Sequence, residues 1–314
     1  MLQARTARTL TLDAAAGGPA HLSAASGLVR LRGQLAVVAD DELHLGLFEP
    51  FGHEPGRVFR LFDGDLPPEH LARKAAKPDC EALLVLPPFG DFGHGALMAM
   101  GSGSAPARHR GVLIALDAAG GPHGPVQPLD LTGLLGPLRE RIADLNIEGA
   151  FVHGDALSLL QRGNSARAFN ARIDFVWSDV QRWLAAEGPA PAPSSITRYE
   201  LGALDGIPLS FTDGAALPDG GWVFSAAAED TTDPYADGHC AGSVVGRVDA
   251  RGVVQACERL APAMKVEGLV ATAPKDAIEL LMVTDGDDRG QPALLLGARW
   301  GAGPTGDGQE RFSC

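Results

Sequence analysis

The chain has 314 residues, 45% hydrophobic and 21% charged, with a formal net charge of -13. That apolar share over that length buries a large core and excludes a disordered chain. The acidic surplus, with no basic stripe interleaved with aromatics, excludes nucleic acid as a partner. No run of about 18 apolar residues is present to cross a bilayer, and "MLQARTARTLTLD" lacks the apolar centre of a secretory signal, so a cytoplasmic protein without membrane contact is expected.

The 40 glycines and 23 prolines are spread along the chain and predict many short strands and turns. Aromatics are only 6%, so the core is built from Leu, Val and Ala. At the N-terminus "ARTLTLD" alternates as an edge strand does. From Ser26, "SGLVRLRGQLAVVADDELHLGLF" reads as three apolar strands, and "GRVFRLFD" supplies a more polar fourth. "DLPPEHLARKAAKPD" predicts a helical turn or two. From Glu81, "EALLVLPPFGDFGHGALMAMGSGS" repeats the strand-turn-strand layout, followed by "RGVLIALD" and "GPVQPLDL". A second helical insertion lies at "LTGLLGPLRERIADL". From Glu148, "EGAFVHGDALSLLQRGNS" is followed by "ARIDFVW", by a short amphipathic helix and Pro/Ala linker in "VWSDVQRWLAAEGPAPAPSS", and by "ITRYELGAL". "DGAALPDGGWVFSAAAED" from Asp213 leads to "GSVVGRVD" and "GVVQACERL". "EGLVATAPKDAIELLMVTDGDD" from Glu267 leads to "ALLLGARW", after which "GAGPTGDGQERFSC" has no strand character.

Five segments thus share one layout, more widely spaced than the roughly 40–50 residues of a minimal four-stranded unit because loops and helices are inserted. Four-stranded units repeated radially, with the last completed by a strand from the other end of the chain, describe an all-β, five-bladed β-propeller of four-stranded antiparallel blades. The N-terminal strand closes the last blade, and residues 1–314 form a single domain, expected to be a monomer. The alternative is six blades, the sixth lying where no repeat is visible.

The first strand of each propeller blade lines the central channel. Ser26, Glu81, Glu148, Asp213 and Glu267 are therefore predicted to converge on the axis, where four carboxylates must share protons or bind a cation. Oxygen donors without His or Cys favour calcium, with magnesium as the second choice, over zinc or copper. The four cysteines show no C-x-x-C spacing and read as free thiols. At the ends of the second strands Asp40, Arg162, Asn164 and Asp285 fall on the rim of the same funnel. Lys77 and Lys265 precede Glu81 and Glu267 and read either as cations that hold an anionic ligand or as counter-charges that relieve carboxylate repulsion. "TDGDD" at 284–288 does not fit a calcium loop, "GSGS" at 101–104 is a turn, no histidines pair at i, i+4, and no G-x-S-x-G elbow occurs.

The order Ser, Glu, Glu, Asp, Glu at the five openings resembles the calcium-activated nucleotidase (apyrase) family, and "LAVVADDELHLGLF" is similar to that family's strand-turn-strand with paired aspartates. The resemblance implies a five-bladed propeller with Ser and Glu ligands around a central calcium, although Asp213 stands where that family has Ser. The "EGL" openings are also similar to phytase-like esterase propellers. The segments "KPDxEAL", "GSGS", "RGN" and "KVEGL" resemble an uncharacterised bacterial propeller family along nearly the whole chain.

Two functions are compatible with these residues. One is a metal-dependent hydrolase of a small phosphoester or other anionic ester, in which Glu148 and Asp40 are the catalytic candidates. Its ligand-binding candidates are Lys77, Arg162, Asn164, Lys265 and Asp285, and its metal ligands Ser26, Glu81, Glu148, Asp213 and Glu267. The other is a non-catalytic propeller that binds a ligand or protein and keeps a structural cation.

Overall fold

The computed structural model describes residues 1–13, 19–165, 167–230 and 239–301. Strand β1 (Leu2–Thr9) precedes a four-stranded antiparallel sheet of β2 (Ala25–Leu31), β3 (Gln34–Ala39), β4 (His44–Phe48) and β5 (Arg57–Arg60). Helix α1 (His70–Ala76) leads to a second such sheet, β6 (Cys80–Leu86), β7 (Ala96–Gly101), β8 (Arg110–Leu116) and β9 (Pro122–Asp130). Helix α2 (Thr132–Arg141) precedes the third, formed by β10 (Ile147–His153), β11 (Ala156–Gln161), β12 (Asn170–Val176) and, after helix α3 (Trp177–Leu184), β13 (Ser195–Tyr199). The three helices fall in the three insertions expected from sequence.

The rest of the chain departs from the expectation of separate four-stranded units. A hairpin strand β14 (Ala203–Leu204) is followed by β15 (Ile207–Ala216), β16 (Trp222–Asp230), β17 (His239–Val248) and β18 (Val254–Ala261), then by β19 (Val266–Thr272), β20 (Ala277–Thr284) and β21 (Leu294–Gly301). With β1 they make one nine-stranded sheet, ordered β14-β15-β16-β17-β18-β1-β21-β20-β19. The join is β1. It runs antiparallel to β21 from Ala4 to Thr9, and parallel to β18 only at Leu2↔Leu260 and Gln3↔Ala261. Its start thus turns otherwise open edge groups toward the neighbouring strand. The closing strand was expected at 7–13; it begins at Leu2, where Leu2, Ala4 and Arg8 are buried.

The inner strands β2, β6, β10, β15 and β19 each contact the next, and β19 returns to β2, so the sheets stand around a closed centre as in a β-propeller. A sheet covered on both faces reads as a continuous apolar run, which explains "QLAVVA" in β3 and "ALMAMG" in β7. The outer strands β5 and β9 are mostly exposed and mixed in polarity. Among the described residues the core divides into five clusters, each between neighbouring units. Val38 and Leu97 share one cluster, Met98 and Leu159 another, Leu160 and Trp222 a third, Val245 and Leu269 a fourth, and Leu295 and Val37 the fifth. Each such side chain contributes roughly 1.5–3 kcal/mol of apolar burial, so cohesion between units rests on these layers.

Cys80 and Cys240 are free thiols, whereas Cys257 is disulfide-bonded, which corrects the expectation of four free cysteines; Cys314 lies outside the described residues. Among the described residues no helix is long and apolar enough to cross a membrane.

Candidate metal centre in the central funnel

Every inner strand carries an irregularity in its pairing, near the start in β2, β6, β10 and β19 and in the middle of β15. In β2, β6, β10 and β19 the residue left without a partner is Ser26, Glu81, Glu148 or Glu267. Such a bulge re-aims one side chain out of the sheet's alternation. All four residues line one cavity of about 250 Å³ at the centre of the molecule. Carboxylate oxygens of Glu81, Glu148 and Glu267 lie within 4.8 Å of one another, and Asp40, Asp79 and Glu81 form a second triad to the same limit. Glu81 belongs to both.

Asp213 is not the fifth member of this set. The slip in β15 falls at Thr212, which is buried and donates its Oγ1 hydrogen to Ser225 Oγ at 2.8 Å. Asp213 stands one residue further on, where the other strands have Gly27, Ala82, Gly149 and Gly268. At that level the backbones nearly touch. A Cβ on Gly268 would stand 2.8 Å from Leu28 N, and one on Gly149 2.6 Å from Asp213 Oδ1. Asp213 Oδ2 accepts from Leu269 N at 2.7 Å and Oδ1 from Gly214 N at 2.7 Å, so its carboxyl clasps β15 to β19 and does not line the cavity. Burial, with Glu267 and Glu148 adding to it, pushes this carboxyl well above the usual range. Matching "DG" to "EG" by letter placed Asp213 in the ring; the pairing register shifts the correspondence by one.

The ring is interleaved with cations. Arg162, buried at the end of β11, pairs with Glu148 Oε2 at 3.1 Å and Glu229 Oε2 at 2.5 Å, stands 4.0 Å from Glu267 Oε1, and donates to Ser210 Oγ at 3.3 Å. Lys265 Nζ lies among Glu229 at 3.5 Å, Glu267 and Asp285 at 3.4 Å, and Asp287 at 3.0 Å. Lys77 Nζ joins Asp40 and stands 3.0 Å from Asp79 Oδ1. Both lysines thus act as counter-charges within the funnel. Among the described residues Glu81 takes part in no ion pair or hydrogen bond, and burial, then Glu148, Asp40 and Asp79, push its carboxyl well above the ordinary value.

Burial outweighs Arg162 at Glu148, whose carboxyl rises to about 8. Burial likewise outweighs Lys77 at Asp40, which rises to about 6, and Lys265 at Asp285, which rises to about 8. Carboxylates this close cannot all ionise without added positive charge. Ten acidic side chains line the funnel against seven Lys and Arg, three more acids than bases, and the raised Glu81, Glu148 and Asp285 carboxyls meet that excess by holding protons unless positive charge is added. Three carboxylates with the Ser26 hydroxyl form a hard-oxygen set suited to a divalent cation, with no Cys in the wall.

Of the other rim candidates, Asn164 and Asp285 also line the cavity. Glu229, a second-strand end like Asp40 and Asp285, lines it too, and Asp79, Asn146 and Arg73, unmarked in sequence, join them. Asp79, at φ +57°, accepts from Ser102 Oγ at 2.5 Å and pairs with Arg108 NH1 at 2.9 Å. Glu229 is held by Arg162 and Lys265, Asn146 donates its Nδ2 hydrogen to Glu148 Oε1, and Arg73 from α1 pairs with Glu42 Oε1 at 2.8 Å. The signal for α1 was present as basic residues spaced 73, 74 and 77.

The solved structure of the alpha-L-arabinofuranosidase PaAbf62A from Podospora anserina resembles this chain at 11% identity with a TM-score of 0.54, covering 95% of this chain and 96% of that one. The catalytic domain of the Coprinopsis cinerea GH62 alpha-L-arabinofuranosidase does so at 10% identity with a TM-score of 0.56, covering 96% and 98%. At such identity the likeness is one of fold alone. No curated protein matches the sequence. A model described as a family of unknown function (DUF6929) matches residues 21–299, and the chain therefore belongs to that family.

Proposed function

We propose that the chain is a five-bladed propeller whose funnel binds a divalent cation, calcium or magnesium, and hydrolyses a small anionic ester there. Glu81, Glu148 and Glu267, with Ser26, hold the cation. The observation that carries this reading is Glu81, an acid common to two acidic triads and, among the described residues, in no ion pair. Among the described residues the wall contains no Phe, Tyr or Trp and one apolar residue, Ala24; its single ring is the exposed His70 imidazole. A lining this polar favours a small, multiply charged substrate over one with a large apolar part.

When bound, the cation supplies positive charge to the ester oxygen and acidifies a water molecule. Asp40, raised to about 6 and held by Lys77, is placed to take the proton near neutral pH. Glu148 is oriented by Asn146 and Arg162 and serves as a ligand. Arg162 and Lys265 keep the remaining carboxylates compensated.

A second reading, a non-catalytic propeller with a structural cation, is favoured by Arg162, which ties residues of three units together. One experiment separates the two. Thermal unfolding with chelator and with Ca²⁺ or Mg²⁺ is measured beside turnover of an aliphatic phosphoester panel. The hydrolase reading expects Glu81→Gln to abolish both cation-dependent stabilisation and turnover, and Asp40→Asn to abolish turnover alone. Cation-dependent stabilisation with every ester untouched establishes the structural reading.

A further inference from the structure

The run Lys77-Pro78-Asp79-Cys80-Glu81 delivers a base and two acids to the funnel within five residues. Lys77 is the C-cap of α1, its backbone N–H donating to Arg73 O at 2.8 Å, and Glu81 is the bulged residue of β6. One end of the run is therefore fixed by a helix and the other by a sheet. Asp40, just after β3, completes the second acidic triad with Asp79 and Glu81. The Lys77 ammonium is lodged against that triad: it joins Asp40 and stands 3.0 Å from Asp79 Oδ1. The other oxygen of Asp79 is taken by Ser102 Oγ at 2.5 Å and by Arg108 NH1 at 2.9 Å. The side chains of Lys77 and Asp79 are only 11% and 4% exposed, so this ammonium is a built part of the funnel and not a surface charge.

The triad of Glu81, Glu148 and Glu267 is served differently. Arg162 pairs with Glu148 and Glu229, and Lys265 is spread over Glu229, Glu267, Asp285 and Asp287. Two acidic triads that share one carboxylate have the connectivity of a two-metal centre, whose ions stand about 3.5–4 Å apart. Here one of the two positions already has a positive charge from the chain itself. A lysine ammonium is a compact point charge with three donors, and its tether keeps it in place when free ions are removed.

We propose that Lys77 is a tethered cation standing in for a second metal ion, so that the funnel takes one divalent cation, at Glu81, Glu148 and Glu267, where its acids alone would take two. For that first ion the inference rests on the cation reading of the funnel, to which it adds the stoichiometry. A dication entering the second triad would meet the ammonium at contact distance among buried groups, where like charges repel strongly. Lys77 is thus a positioning residue that sets the number of ions and holds Asp40 in place. Its removal leaves Asp40, Asp79 Oδ1 and Glu81 as three oxygen donors around a vacated cation position, a set suited to a hard divalent ion.

The test counts ions. The full chain, stripped with chelator, is dialysed against Mn²⁺, a hard divalent probe whose EPR spectrum also reports whether two ions share a ligand. The expected result is one Mn²⁺ per chain in the wild type and in Lys77→Arg, and two in Lys77→Gln with a spin-coupled spectrum. The Lys77→Gln, Asp40→Asn double variant, which loses a ligand with the ammonium, should return to one. Circular dichroism follows folding throughout. If Lys77→Gln unfolds in chelator, saturating Mn²⁺ should refold it, because the metal restores the lost positive charge. A Lys77→Gln protein that stays unfolded in Mn²⁺, or binds no more ions than the wild type, overturns the assignment, as does a wild type that already holds two. A wild type that holds none sinks the cation reading by itself. The assignment of Lys77 then stands if Lys77→Gln gains one ion and falls if it gains none.

Discussion

Asp213 and Glu81 are both inner-strand acids one register step apart, and their neighbours give them opposite work. Among the described residues Glu81 is in no ion pair, and the pull of Lys77 is outweighed by burial and by Glu148, Asp40 and Asp79, whereas Asp213 accepts from two backbone N–H groups. Asp213→Ala should cost roughly 1–3 kcal/mol for each buried donor left without an acceptor, and Asp213→Asn less, since its amide oxygen still accepts. Urea unfolding measures both, and equal losses would show that the Leu269 contact contributes nothing. His44 makes a separate prediction. Burial first, then Arg60 and Arg73, hold its imidazole down to about 4 despite Asp41, with Glu42 3.6 Å away. The unfolded chain takes a proton near pH 6.5 and the folded one does not until about 4, so the unfolded state gains protons first and stability falls as pH drops through that window. Comparing denaturation of wild type and His44→Gln at pH 7 and pH 5 should show the larger acid loss in the wild type.

Among the elements, the inner strands are packed so tightly that Gly149 and Gly268 are required for close approach. Gly149→Ala would drive its methyl into Asp213 and should destabilise by about 1–3 kcal/mol, checked by thermal melts; a neutral substitution would mean that β10 and β15 can separate there. Strand identities were legible because both-face burial writes apolar runs such as "ALLLGARW" into the sequence. So were the positions of Ser26, Glu81, Glu148 and Glu267, each set before a small residue. Thr212 was not, because a bulge shifts register without leaving a letter pattern. The fusion through β1 was hidden too, since parallel pairing over two residues leaves no periodic trace. α1 was legible as an insertion, but the direction of its basic face depends on docking contacts to Asp40, Asp41 and Glu42 that only the fold supplies.

For the whole molecule, a closed cycle of inner strands gathers acids from distant segments into one funnel and leaves them with too little positive charge. The arginines and lysines of the funnel answer part of that repulsion, and Glu81 is the part left over. The most direct test is calorimetric titration of the chelator-treated full chain with Ca²⁺ and with Mg²⁺, beside Glu81→Gln. The account predicts one divalent ion bound per chain and its loss in the variant. A wild type that binds neither ion, or a Glu81→Gln protein that binds as tightly as the wild type, would contradict it.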